Sequence, residues 1–335
     1  MRNRVFVSPG AVVMAVVLVA PVFLVAQDPP KPATAKPWTP PRTPDGQPDL
    51  QGYWTSLSFT PLERPAKYGM REFLTEKETD ELFKAGVDRS YEFTFANSAE
   101  TPVYDATVYA LDAWQNGVKP NKRTSLIVDP PDGQLPSLTP EGQARPRRRG
   151  QGQDGFDGPE AMGVGVRCLT FGGPPIPVGS GYNNNTFIVQ GPGYVMIEYE
   201  WGSSVRIIPL DARPQLSPNV RFWSGNSRGR WEGNTLVVET RNFQPEATYM
   251  DANPKTVRII ERFTRIDPQT IEYTHTIDDP TTWTKPWTAN VPMSKVDGPL
   301  FEYACHEGNN GIVNMLEGAR AQEKAAAAAP KPGSR

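Results

Sequence analysis

The chain carries two histidines, His275 and His306, and these are the side chains that can change charge near neutral pH without special help. His306 is followed directly by Glu307. An imidazole with a carboxylate beside it can take or give a proton, so the pair is a candidate acid–base couple. The other reading is a satisfied polar cluster that pins the start of the last helix. His275 lies in Ile271 to Asp278, which alternates as a strand, and Glu261 lies in the preceding strand-like run, Thr256 to Ile266. Read as a three-residue turn, Asp267-Pro268-Gln269 sets Ile266 opposite Thr270. Counting back, Phe263 faces Tyr273, Glu261 faces His275 and Ile259 faces Ile277. Arg258 with Asp278 and Arg262 with Thr274 form a solvent side. A carboxylate and an imidazole are thereby expected to point inward together. Such a pair would support a charged histidine and could serve as an acid–base couple or a ligand anchor; the alternative is a mutually satisfied polar pair in the core.

Other reactive types are less well placed. Gly225-Asn226-Ser227-Arg228-Gly229 spells a serine-hydrolase elbow, but that elbow needs a strand before the serine and a helix after it. Here Arg230-Trp231-Glu232-Gly233-Asn234 follows, and the segment reads as a hairpin connection. Cys305 precedes His306, yet neighbours on a strand point to opposite faces, so a thiol–imidazole pair is not expected. A catalytic zinc usually takes three protein ligands. With two histidines, only a site completed by Glu261 or Glu307 is arithmetically possible, and no metal or other cofactor is assigned. No dinucleotide, P-loop or EF-hand spacing is present.

The remaining candidates are aromatic. Eight Trp, eleven Tyr and fourteen Phe occur in a polar chain of 335 residues. Tyr199, Trp201, Phe263, Tyr273, Trp283, Trp287 and Tyr303 are the candidate contacts for a small hydrophobic or aromatic ligand. The formal net charge of -2 gives no electrostatic case for a nucleic-acid or anionic-membrane partner. Arg145, Arg147, Arg148 and Arg149 read as a solvated loop, not a phosphate site. Oligomeric state is not legible.

The elements that must position these residues begin after a leader. Arg2 and Arg4 precede an apolar run from Ala11 to Ala26, and a polar, proline-rich stretch follows. That layout predicts a secretory signal peptide over 1–26, cleaved before Gln27, leaving no stable membrane anchor and a periplasmic or secreted protein. In an oxidising compartment, Cys168 and Cys305 most simply form one disulfide; the alternative is two buried thiols that never meet. Residues 27–48 read as a proline-rich linker. Residues 49–165 read as an irregular Pro- and Gly-rich region with a few short helices. Thr75 with Glu78 forms a capping box ahead of Leu82, Phe83 and Val87, and Thr139-Pro140 starts a second helix.

From Asn185 the pattern changes to short strands. They are expected over Thr186 to Gln190, Tyr194 to Glu200, Val205 to Ile208, Thr235 to Arg241, the two runs above, and Thr282 to Thr288. No helical crossover intervenes, so the fold class is mainly β: an antiparallel meander closing into a barrel over 166–318, which resembles lipocalin- or calycin-like barrels at the level of fold. A helix begins near Ile312, and 319–335 read as a disordered tail.

Several stretches recur in order in a known group. They are Arg123-Thr124-Ser125-Leu126-Ile127 with its downstream Pro-Asp-Gly, Arg206-Ile207-Ile208-Pro209-Leu210-Asp211, Ser227-Arg228-Gly229-Arg230-Trp231-Glu232-Gly233, Glu261-Arg262-Phe263, Asp279-Pro280 with Trp283 and Trp287, and the segment around Cys305-His306-Glu307-Gly308-Asn309. On these the chain resembles a large family of uncharacterised exported bacterial proteins. The resemblance implies an exported bacterial origin and no particular activity. Relatives often carry an Ile-His-Asp-like stretch where this chain has Gly202-Ser203-Ser204. Two functions are carried forward: binding of a small hydrophobic or aromatic ligand in the barrel, or acid–base hydrolase, lyase or isomerase chemistry in the same place through His275/Glu261 or His306/Glu307.

Overall fold

A computed structural model describes residues 38–95, 117–145, 155–171, 173–177, 183–247 and 249–328. The expected signal peptide, residues 27–37 of the linker and Arg147 to Arg149 lie outside the described residues. Ten strands form one antiparallel system: β1 (Gly52–Thr55), β2 (Ile127–Asp129), β3 (Asn185–Gly191), β4 (Tyr194–Tyr199), β5 (Ser204–Pro209), β6 (Asn226–Glu232), β7 (Thr235–Arg241), β8 (Arg258–Asp267), β9 (Thr270–Asp278) and β10 (Trp287–Val296). Nine of them run in the order β5-β4-β3-β1-β10-β9-β8-β7-β6, which nearly closes a barrel. The architecture is compatible with a lipocalin-like fold.

The alternation that predicts the strands also selects the inner face. Val195, Ile197 and Tyr199 of β4, Ile259, Glu261 and Phe263 of β8, and Ile271, Tyr273, His275 and Ile277 of β9 are all buried. The hairpin between β6 and β7 is a two-residue Gly233-Asn234 turn, and Gly233 takes φ 61, the left-handed region that glycine occupies without steric cost. Burying this aromatic and branched set is the main stabilising term.

β1 and β2 share one side of β10. β1 pairs with Ser294 to Val296, and β2 pairs with Thr288 and Ala289. Pro292 falls between them, so its missing N–H removes no ladder bond on that side. On its other side β10 pairs with β9 along its length. The β5–β6 seam carries no ladder. It is closed by side chains: a Cβ on Gly229 of β6 would lie 2.7 Å from Leu210 and 2.8 Å from Ile208.

The capping box forms as expected. Glu78 N–H donates to Thr75 Oγ1 (3.3 Å) and Thr75 N–H donates to Glu78 (2.8 Å) at the start of α1 (Glu76–Phe95). Val87 and Phe83 join Leu57, Phe59 and Val118 in a small core of their own. Thr139 caps the short α2 (Pro140–Ala144), accepting from Gly142 N–H at 3.0 Å.

Four expectations are corrected. The stretch from Thr282 is not a strand. The buried Asp279 carboxylate accepts from the Asn253 and Thr281 N–H groups and from the Thr256, Thr281 and Thr282 hydroxyls, so this segment turns, and the strand starts at Trp287. Asn226 to Glu232 is strand β6, not a hairpin connection, because its backbone pairs with β7 throughout. The last helix, α3 (Asn310–Ala328), runs ten residues into the stretch expected to be a disordered tail, carried by the alanines of its last turns. The end of the linker docks on the barrel: Arg42 bridges to Pro48 and donates to Asn234, and Gln190 donates to the Pro48 carbonyl.

Candidate functional site

The register of the β8–β9 hairpin places Glu261 opposite His275, Phe263 opposite Tyr273 and Ile259 opposite Ile277, with Arg258–Asp278 and Arg262–Thr274 on the other face. The turn differs from the expected one. Asp267, not Ile266, pairs with Thr270, and the register shifts between Arg265 and Asp267. Ile266 bulges outward, which uses up the same residue that a three-residue turn would have used. The downstream pairing is therefore unchanged.

Across the sheet these pairs build rows around the inner wall. One row reads Gly229, Val238, Glu261, His275, Ala289, and the next reads Trp231, Leu236, Phe263, Tyr273, Val291. Small Ala289 flanks the imidazole on one side, and Trp287 lies one row away on the same strand.

Glu261 and His275 share a face, yet they do not pair. Glu261 is taken by Arg206 of β5, which reaches across the interior with a guanidinium nitrogen 2.5 Å from Glu261 Oε2. Arg206 also donates to Tyr199 Oη at 2.8 Å. Tyr273 Oη donates to Glu261 Oε1 at 3.0 Å and accepts from Ile176 N–H at 2.9 Å. Gly173 lies against the Tyr199 ring, where a Cβ would clash at 2.4 Å, so the 173–177 segment packs onto this polar knot. Burial works to lower the Arg206 pKa, but Glu261 and Tyr199 beside it outweigh that and raise it. Burial pushes the Tyr199 and Tyr273 phenols up, so both stay protonated and donate or accept as neutral groups.

His275 is left to an aromatic enclosure. Its ring lies 5.6 Å from Tyr273, 5.9 Å from Trp287 and 6.0 Å from Tyr249, centroid to centroid. Trp283 stacks edge-on to Trp287 at 5.9 Å. Burial pushes the imidazole down to about 3, so it is neutral at physiological pH. The charged, carboxylate-supported histidine expected from the sequence is thus corrected: the carboxylate is spent on Arg206. Three buried nitrogens in this enclosure, His275 Nδ1, His275 Nε2 and Trp287 Nε1, find no hydrogen-bond partner among the described residues. Tyr249 is half-buried on the β7–β8 connection, next to Met250 and Asp251, which both hold positive φ (50° and 59°). Burial pushes its phenol up to about 12.

The other predicted site residues are elsewhere. His306 and Glu307 are exposed, on the segment tied down by the disulfide, and do not enter the barrel interior. Trp201 and Tyr303 also stay out of the His275 enclosure. Each packs against Phe171, at 6.0 and 5.0 Å, in a half-buried cluster. Cys168 and Cys305 are joined in a disulfide with Cα atoms 5.8 Å apart. Ser227 Oγ shares a hydrogen bond with Thr240 Oγ1 at 2.9 Å, on a strand, with no imidazole bonded to it. Among the described residues no group of three or more His, Cys, Asp or Glu side chains is placed to hold a metal ion.

Sequence reasoning missed Arg206 and Tyr249. Strand β5 carries Val205 and Ile207 on one face and Arg206 and Ile208 on the other. An apolar pair outward and an arginine inward reverses the usual reading, and only Ile208, on the same face as Arg206, marked that face as inner. Tyr249 sits on a connection without periodicity.

No family model matches the chain, and no curated protein or solved structure does so.

Proposed function

We propose that this is an exported protein that binds a small hydrophobic or aromatic ligand inside its barrel, at the enclosure formed by His275, Trp287, Trp283, Tyr249 and Tyr273. The observation that carries the reading is the group of three buried nitrogens on His275 and Trp287 that find no partner among the described residues. Native interiors pair nearly all buried polar atoms, and each exception needs a reason. A ligand with hydrogen-bonding groups supplies one, and the aromatic walls supply its apolar contacts.

Acid–base catalysis has less behind it. A general base works best with a pKa near the operating pH, whereas burial holds His275 at about 3. Glu261 is already engaged by Arg206 and Tyr273. The disulfide fits an oxidising compartment. Among the described residues no helix is long and apolar enough to cross a membrane.

The test is native mass spectrometry of protein purified from the exported fraction, followed by organic extraction. A stoichiometric small molecule is expected, with an intact mass that starts near Gln27. Protein that carries no small molecule, and that takes up none from a panel of aromatic probes, removes the binding reading.

A further inference from the structure

The formal charge of the whole chain, -2, hides an uneven distribution. On the outward positions of β6, β7 and β8, five arginines (Arg228, Arg230, Arg241, Arg258 and Arg262) stand against two carboxylates, Glu232 and Glu239, a net charge of +3. β9 adds Asp278, bound to Arg258 at 2.6 Å, and Glu272, which accepts from Asn290 at the far corner. No lysine occurs between Arg123 and Lys255, so the cations of β6 and β7 are arginines without exception. Arginine presents a planar fork that matches a carboxylate in two bonds, which lysine cannot do.

These arginines are held in place. Val237 points outward yet is fully buried, and its neighbours in the sheet are Arg230 and Arg262. Their stems lie beside it, and both guanidinium groups bridge to Glu232, at 2.6 and 3.0 Å. Arg241 and Arg258 share Glu239 in the same way, at 2.6 and 3.9 Å. Arg228 lies opposite Glu239 in the ladder but donates to the Pro214 and Ser227 carbonyls, and pairs with no carboxylate among the described residues. A guanidinium carries five N–H groups, so each of these keeps donors for a partner.

Hydroxyls extend the same rows. One outer row reads Arg228, Glu239, Ile260, Thr276, Thr288, and the next reads Arg230, Val237, Arg262, Thr274, Asn290. Each row crosses four gaps between strands, about 19 Å. Thr276 and Thr288 share a hydrogen bond at 2.8 Å, and Thr235 and Thr264 share one at 2.7 Å. Each such pair consumes one hydroxyl proton of two.

This make-up selects the partner. Fixed guanidinium groups at strand spacing suit repeated carboxylates, and threonine hydroxyls suit a hydroxyl-rich chain laid along the row. The exposed large apolar side chains lie elsewhere: none is on β6, β7, β9 or β10, and β8 has only Ile266, at its end. A membrane surface or a protein partner would call for such residues. No aromatic residue occupies an outward position on β6 to β10, so there is no platform for stacked bases. We infer that the outer face of β6 to β10 binds an acidic polysaccharide whose sugars carry carboxylates, with the arginines at the carboxylates and the threonines at the hydroxyls. This inference is independent of the barrel-binding reading.

The experiment measures binding of the full exported chain to polygalacturonate and to the same polymer with its carboxylates methyl-esterified, by biolayer interferometry at low salt. The acid form should bind at least about tenfold tighter than the ester, and binding should weaken as salt rises, as expected of exposed charges. Arg230→Gln with Arg262→Gln should weaken binding by about fivefold or more, and Arg230→Lys with Arg262→Lys should fall between, because the charge stays and the fork is lost. Arg228→Gln, which breaks no ion pair, should weaken binding by about threefold. Lys67→Gln with Lys77→Gln removes two charges from another part of the surface and should change binding by less than about twofold. Thermal melts report whether each variant is folded. Equal binding of acid and ester forms, equal losses in the lysine and arginine variants, or no binding of polygalacturonate at low salt overturns the proposal. Tighter binding to phosphatidylglycerol vesicles than to the polymer also overturns it and makes the partner a membrane.

Discussion

His275 makes the stability of the barrel depend on pH in a window where few other groups titrate. An exposed histidine in the unfolded chain has a pKa of about 6.5, while burial holds His275 in the folded protein at about 3. The folded pKa is depressed, so the unfolded chain binds the proton first. Stability is fully present above about pH 6.5 and is lost as pH falls toward 3. Within the window the slope approaches about 1.4 kcal/mol per pH unit. Integrated from pH 7 to pH 5, the loss is about 2 kcal/mol, a large part of a typical domain's stability. Urea unfolding of wild type and His275→Phe at half-unit steps from pH 7.5 to 5 isolates this contribution, because every other titrating group is common to both. The wild-type curve should drop by about 2 kcal/mol relative to the variant over that range. Parallel curves would show that the imidazole is solvated or partnered in the folded state, and the argument from its burial would fail.

Glu261→Gln should destabilise by about 3–5 kcal/mol, because it strands the buried Arg206 charge, whereas Arg206→Met with Glu261→Met should recover most of that loss; a single variant as stable as wild type in urea refutes the ion pair. Reducing the Cys168–Cys305 disulfide, which spans 137 residues, should cost up to about 5 kcal/mol by chain entropy, and thiol titration of the denatured, unreduced protein should find no free thiol. Gly229→Val should cost about 1–3 kcal/mol by forcing Leu210 and Ile208 apart at the seam, with faster amide exchange in β5 and β6; unchanged exchange there would show a looser seam. Thr75→Ala should cost about 1 kcal/mol through loss of the capping box, measured as a shift in the urea midpoint.

Local signals were strong enough to read most of the barrel. Alternation gave the faces of β4, β8 and β9, and the register that brings Glu261 opposite His275 followed from burying Phe263, Tyr273 and the isoleucines together. The same logic could not find the Arg206–Glu261 contact. It joins strands that are neighbours neither in sequence nor in the sheet, and pair rules reach only across adjacent strands. The inward pair was thus legible as geometry and misread as chemistry. The strand expected over Thr282 to Thr288 overlaps β10 only at Trp287 and Thr288; what carries β10 on past Pro292, with β1 and β2 sharing one of its sides, is a tertiary fact. The exposure of His306 was hidden because an isolated His-Glu dipeptide outside regular structure carries no face.

The position of β1 has a consequence for how the chain reaches this state. Two local meanders, β3 to β5 and β6 to β10, can each zip up hairpin by hairpin. β1, encoded before either, inserts between β3 and β10, setting Tyr53 beside both Phe187 and Val296. It cannot be paired on both sides until the last strand has been made and delivered. Loop closure of that span is entropically slow, so the expected kinetic order is two independent meanders first and β1 last. Until β1 arrives, β3 and the Ser294 to Val296 end of β10 lack their partner strand, and that interval is when the chain is most open to mispairing with another copy of itself.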